Sequence, residues 1–196
     1  MEYLGDSYVS LKYKKEYFNR LNLDLSSNHE EWNIAIDIFD DRIRGRYLNV
    51  IESMIRNNNI NRDGFAIMAL NCLLIETLLQ FKRGWNETRG SNKQAYTNFL
   101  LEEFPSHFSS PLLAEIFYTH IRCGILHSAQ TKKGSKLTFN KSYVVSFDEN
   151  NLSVDVENIT IMINTYYDNY LCKLRDENNI DIRKKFLKKM KFLCDR

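Results

Sequence analysis

Arg122 and His127 are the residues in this chain best suited to chemistry. They lie in Phe117-Tyr118-Thr119-His120-Ile121-Arg122-Cys123-Gly124-Ile125-Leu126-His127, a mostly apolar stretch with the pattern of a helix. A guanidinium stays charged at every physiological pH, and an imidazole titrates near neutrality. Placing both in such a segment is costly unless they face a cleft or a partner. The pair has a chemical meaning, because arginine stabilises charge on a phosphate and histidine moves a proton at pH 7. Phosphodiester cleavage uses both and requires no metal. On a regular helix, residues five apart point about 140° away from each other. A shared phosphate therefore needs arginine's long reach, a helix loosened at Gly124, or two copies of the helix facing across a two-fold dimer. The alternative is a surface arginine and a core histidine, each satisfied separately.

Other ionisable residues bear on this pair. Glu76 sits within Cys72-Leu73-Leu74-Ile75-Glu76-Thr77-Leu78-Leu79, where a carboxylate should be paired or line a cleft. Arg122 and Lys82 are both suitable partners, and a narrow solvated stripe shared with Gln80 is the other reading. His120 and His127 share one helical stripe, with Cys123 between them. A zinc site there would lack a fourth ligand and a standard spacing, so no metal is expected. Asp37, Asp40 and Asp41 read as a solvated face, with Asp40 and Arg44 at ion-pair spacing. Lys133-Gly134-Ser135 lacks the spacing of a phosphate-binding loop, and no cofactor is expected.

These residues need elements to hold them. Residues 7–22 carry Tyr8, Leu11, Phe18 and Leu21 at helical spacing. Asn28 or its neighbouring serines can cap a long helix to about Ile55. Asp63 caps a third helix from Gly64 to about Phe81, apolar nearly all round and so central. A basic loop with Lys82, Arg83 and Arg89 follows. Ser91 then caps a short helix that contains Lys93 and ends before Pro105. Pro111 opens the helix of Arg122 and His127. Two alternating runs, Ser142–Phe147 and Leu152–Val156, read as a β-hairpin within 137–156. A helix from about Glu157 to Arg175 and a last one over 180–196 complete the chain. The expectation is one all-α domain with a small hairpin insertion after the motif helix.

Composition bounds the rest. The chain has 196 residues, 43% hydrophobic and 27% charged, with only 7 Gly and 2 Pro. That balance favours a helical globular protein. The four cysteines are widely spaced, which excludes a zinc knuckle or a Cys-x-x-Cys pair and fits a reducing compartment. The first residues, Met1 to Asp6, have neither a basic nor an apolar region, so no signal peptide is expected. The run Phe65–Leu79 looks too short and too polar to span a bilayer. A cytoplasmic protein without a membrane partner is the expectation. The net charge of +2 hides an asymmetry. Residues 183–196 hold seven Lys/Arg and one Asp, a net of +6, so the other 182 residues carry a net of −4. Ile182, Phe186, Met190 and Leu193 form one stripe there, with Lys184, Lys185, Lys188, Lys189 and Lys191 around it. This end can contact RNA phosphates or an anionic membrane, or pack with a basic outer face.

An arginine, four intervening residues and a histidine on a late helix of a bundle resemble the signature of the HEPN superfamily. Gly64-Phe65-Ala66-Ile67-Met68-Ala69-Leu70, Leu73-Leu74-Ile75-Glu76-Thr77 and Ile121–His127 together resemble a group of small uncharacterised bacterial proteins of that kind. The resemblance implies a dimeric helical bundle and, in many members, metal-independent RNA cleavage within toxin–antitoxin or antiphage systems. Other members are inactive and bind a nucleotide or a partner protein. It implies that Arg122 and His127 are the two catalytic motif residues; from its place in an apolar run, Glu76 is expected to orient Arg122. The basic side chains of Lys82, Arg83, Arg89, Lys93 and the terminal lysines would hold RNA. A cognate antitoxin or defence protein would be the further partner. Cys123 departs from the pattern, since the family often has a polar residue directly after the arginine.

Overall fold

The computed structural model describes residues 5–57, 59–88, 90, 92–148 and 151–195. The expected cap at Ser91, the basic Arg89 and the hairpin residues Glu149 and Asn150 lie outside the described residues. The protein is mostly helical, with one small sheet. It divides into two compact units. One comprises the chain up to Val50, Gln80–Glu87 and Tyr167 onward, and the other comprises Ile51–Leu79 and Thr88–Tyr166.

The first unit contains α1 (Lys15–Arg20), α2 (His29–Ile43) and α9 (Ile180–Cys194). Only six residues of the helix expected over 7–22 are helical. Before it, Tyr8 bridges Lys14, and the Ser10 hydroxyl accepts the Tyr13 N–H at 3.1 Å. Such local side-chain bonding competes with helix formation. Asn28 caps α2 with a reciprocal pair: its side chain accepts the Glu31 N–H, and the Glu31 carboxylate accepts the Asn28 N–H. The helix runs without a break into a π-helical segment, π1 (Arg44–Leu48), and then into α3 (Asn49–Arg56). In π1 the Asn49 N–H reaches back five residues to the Arg44 carbonyl. Leu11 lies against Gly45 in that segment, and a Cβ at Gly45 would meet its Cδ1 at 2.3 Å.

An aromatic cluster forms the core of this unit. Phe39 sits 4.4 Å from Phe81 and 5.4 Å from Phe186, centroid to centroid, and Phe186 lies 6.0 Å from Trp32. Arg183 stacks over Trp32 and donates to the carbonyls of Leu174 and Arg175. Asp40 forms the ion pair with Arg44 expected from its spacing, but Asp40 and Asp41 are half-buried and not on a fully solvated face. Asp40 accepts from Arg44 and the Tyr167 hydroxyl, and Asp41 accepts the Lys12 N–H.

The second unit holds α5 (Asn92–Glu103), the sheet and the motif helix. That helix is α6 (Pro111–Ile116), a second π-helical segment π2 (Phe117–Arg122), and α7 (Cys123–Ser128). Pro111 occupies its first turn, and the Ser110 hydroxyl accepts the Leu113 N–H. The long helices α4 (Ile60–Arg83) and α8 (Val156–Arg175) contribute residues to both units. Because α4 starts at Ile60, Asp63 lies in its first turn, paired with Arg62, and is not its cap. By length and composition, Arg62–Arg83 is long and apolar enough to cross a membrane, unlike the shorter run read from the sequence; 56% of an 18-residue window within it is buried inside the protein.

The expected hairpin is part of a larger sheet. Strands β2 (Val145–Asp148) and β3 (Asn151–Asp155) pair antiparallel, with Phe147 opposite Leu152. Strand β1 (Lys136–Thr138) pairs parallel with the other edge of β3, giving the order β1-β3-β2. Leu137 and the following Phe139 pack on Ile51, Ile67 and Val156. That packing draws a segment with a polar neighbourhood into the sheet.

Lys189 is 4% exposed, and its ammonium donates to the Gln80 side chain and the Asn86 carbonyl. It is therefore a structural residue and not a phosphate contact. Lys189→Ala removes a buried ammonium and its two part-buried hydrogen bonds, and should cost about 1–3 kcal/mol. Thermal unfolding should report that loss, whereas Lys184→Ala, at an exposed position, should melt like wild type.

Candidate functional site

Three elements of the second unit bring the candidate side chains together. Glu76 lies in the middle of α4, Arg122 closes π2, and His127 lies on α7. The Arg122 guanidinium donates through Nη2 to Glu76 Oε2 at 2.7 Å. The two side chains are only 12% and 19% exposed. Burial works against the charge on Arg122, but the Glu76 hydrogen bond and its negative charge outweigh it and hold the guanidinium above its ordinary range. Of the two partners open to Glu76 from the sequence, the site contains Arg122.

Arg122 Nη1 lies 3.4 Å from His127 Nε2. A guanidinium has no acceptor atom, so this long hydrogen bond places the imidazole lone pair at Nε2 and its proton at Nδ1. His127 is exposed, and Arg122 reaches it from a half-buried position. One chain thus brings the two groups into contact, with α-helical geometry over Cys123–Ser128. The reach of the arginine spans the angular gap. Arg122 Nε is buried without a hydrogen-bond partner, a costly state for a donor.

The irregularity in this helix lies upstream of Gly124. In π2 the Cys123 N–H bonds to the Tyr118 carbonyl, five residues back. Single π-helical turns inside α-helices are frequent at functional sites. Gly124 serves a different purpose. Ala129, in the left-handed region at φ 52°, turns the chain back along the helix, and the Lys132 N–H bonds to the His120 carbonyl at 3.0 Å. A Cβ on Gly124 would lie 2.5 Å from the Gln130 carbonyl oxygen and 3.3 Å from Thr131 Cα. The glycine admits the returning loop.

Tyr118 belongs to the site and was missed in the sequence. Its ring lies under the Arg122 guanidinium at 5.4 Å. The signal was its position four residues before Arg122, on the same helical stripe. Burial, then the neighbouring Cys123, raises the Tyr118 phenol above its ordinary range. Beneath, Tyr96 is fully buried and donates to the Cys72 carbonyl at 3.4 Å. Burial pushes the Cys72 thiol up to about 12, so it is no nucleophile at neutral pH.

The remaining candidates separate. The Nδ1 of His120 meets the Ser135 hydroxyl at 3.0 Å, while His127 meets Arg122, so the two histidines do not converge. No group of three or more His, Cys, Asp or Glu that could hold a metal occurs among the described residues. Lys93 is ion-paired with Glu115. In the first unit, Lys185 pairs with Asp181, and Lys184, Lys188 and Lys191 are exposed on α9. Lys82 and Arg83 occupy the last turn of α4 and are half-buried. Gly84 then ends that helix at φ 64°, with Lys185 Cα 3.0 Å from where a Cβ would stand. No protein-family model matches the chain, and neither a curated protein nor a solved structure matches it.

Two outcomes follow from the helix and its loop. Replacing helical glycine by alanine ordinarily stabilises. Here the added methyl meets backbone, so Gly124→Ala should lose about 1–3 kcal/mol in chemical denaturation. His120 is 9% exposed, and burial, then Lys133 and Lys132, hold its pKa below the ordinary 6.5. The unfolded chain therefore takes up this proton more readily. The stability tied to a neutral His120 is complete above pH 6.5 and is lost as pH falls through the lower folded-state value. Melting temperature should drop from pH 7 to pH 5, and His120→Gln should flatten that slope.

Proposed function

We propose that the chain is a metal-independent endoribonuclease of the HEPN type, a cytoplasmic toxin or antiphage defence component that works as a homodimer. The observation that carries this reading is the line of contacts from Glu76 through Arg122 to His127, at 2.7 and 3.4 Å. It joins a buried, oriented cation to an exposed imidazole whose Nε2 faces the guanidinium.

The reaction follows from those parts. His127 Nε2 takes the proton of a ribose 2′-hydroxyl, and the 2′-oxygen attacks the adjacent phosphorus. The 5′-oxygen leaves with a proton, giving a 2′,3′-cyclic phosphate and a 5′-hydroxyl. Arg122 turns from His127 to the phosphorane, whose growing charge it stabilises, while Glu76 keeps it in place. Tyr118 supports the guanidinium from below. One imidazole cannot accept and donate in a single displacement. The His127 of a second copy, protonated, supplies the acid. This replaces the earlier reason for a dimer, because Arg122 and His127 already meet within one chain. Lys82, Arg83, Lys184 and Lys188 are the proposed backbone contacts, and a cognate antitoxin or defence protein is the proposed further partner.

Purified protein should cleave single-stranded RNA in EDTA and should spare oligonucleotides with a 2′-deoxy or 2′-O-methyl group at the cut site. His127→Ala and Arg122→Ala should each lower the rate by about 10²–10⁴. Glu76→Gln should slow cleavage in a way not additive with Arg122→Ala. Variants that cleave like wild type would move the activity elsewhere. A wild-type protein that binds but never cleaves RNA would make the chain a binding module.

A further inference from the structure

Arg42 and Arg46 stand one turn apart, on either side of the start of π1, and both line a cavity of about 370 Å³ in the first unit. Lys15 lines it as well, together with Asp6, Tyr8, Leu11, Phe192 and Leu193. Arg42 donates to the Val9 carbonyl and Arg46 to the Tyr8 carbonyl at 3.1 Å. Neither arginine has a carboxylate partner among the described residues. Among the described residues, the only acidic side chain on the cavity wall is Asp6, which pairs with Lys15 at 2.8 Å and is itself almost wholly in solvent. Among the described residues, no carboxylate offsets the charge of the two guanidiniums.

The chemistry of the cavity has two halves. On one side are two guanidiniums, each of which has used one N–H on a backbone carbonyl. Both arginines are half-buried residues of the cavity wall, and each has further N–H donors beyond the one it has used. Their proximity is unfavourable without an anion. Burial, then the charge of Arg46, holds the Arg42 pKa down to about 10. The other half is apolar and aromatic: Tyr8, Leu11, Phe192 and Leu193. Paired guanidiniums favour a phosphate over a carboxylate, since the phosphate offers three oxygens and a second charge. The volume falls within the range of small-molecule sites.

We propose that this cavity is a binding site for a small phosphate monoester, with its phosphate on Arg42 and Arg46 and its apolar or aromatic group against Tyr8, Leu11 and Phe192. The ligand would tie the segment before α1 to the π1 turn, because Tyr8 and Val9 are the residues whose carbonyls the arginines already hold. The site is independent of the ribonuclease reading, and none of its residues takes part in that reaction.

Calorimetric titration of the full chain tests it with three probes: phenyl phosphate, inorganic phosphate and phenol. Phenyl phosphate should bind more tightly than inorganic phosphate, and phenol should not bind. Arg46→Gln should weaken phenyl phosphate by about tenfold or more, the factor expected for one charged hydrogen bond. Its unfolding should remain a single cooperative transition, which shows that the variant folds. If that variant fails to fold, the salt dependence of wild-type affinity decides. Affinity should fall steeply as ionic strength rises, and salt-insensitive binding would overturn the proposal. No binding of phenyl phosphate, or equal binding by a folded Arg46→Gln variant, would also overturn it.

Discussion

The site depends on a carboxylate inside a hydrophobic helix. Arg122 must carry its charge in a place that water barely reaches, and Glu76 makes that tolerable. Remove the carboxylate, and the guanidinium loses the counter-charge that offsets its burial. The same contact has a directional effect. With Nη2 held by Glu76, Nη1 is aimed at His127, and the ring of Tyr118 closes the face below. One ion pair thereby sets the position of the cation, the tautomer of the imidazole and the reason for a tyrosine four residues earlier.

Both arginine-bearing sites sit beside a π-helical turn. Arg42 and Arg46 straddle the start of π1, and Arg122 closes π2. Such a turn inserts a residue into a helix and shifts the faces on either side. A side chain whose regular position would be in the core can then be offered to a cavity. In each case the altered turn is held from outside the helix: Leu11 sits against Gly45, and the loop after Ala129 lies along α7. The helical irregularity and the packing that tolerates it form one feature.

The helices were legible because their apolar residues repeat at helical spacing and their ends carry recognisable signals. Asn28 and Pro111 are examples. The π turns were not legible, because a single longer hydrogen bond leaves hydrophobic periodicity almost intact. The short segment before α1 misled for the opposite reason. Its apolar spacing suits a helix, but Ser10 bonds the backbone locally. Strand β1 was missed because its three residues have no alternation of their own, and its pairing comes from Leu137 and Phe139 finding a core built by distant helices. Lys189 shows the limit of reading charge as surface: a lysine within a basic run is buried when a carbonyl and an amide meet its ammonium. At the site, Arg122, His127 and Glu76 stood out as charged or titratable groups in apolar stretches. Tyr118 did not, since an aromatic residue there looks like core.

The path of the chain through the two units also bears on synthesis. The second unit is complete once Tyr166 has been made, whereas the first draws on three separated segments and gains its Phe186 cluster only from α9. During translation, the unit with Glu76, Arg122 and His127 has all its residues available while Trp32, Phe39 and Phe81 still await their last aromatic neighbour. A chain cut short at that stage would hold every residue of the second unit but lack α9, leaving the aromatic cluster of the first unit open to water. A ribosome stalled there would leave its apolar surface exposed to aggregation and quality control.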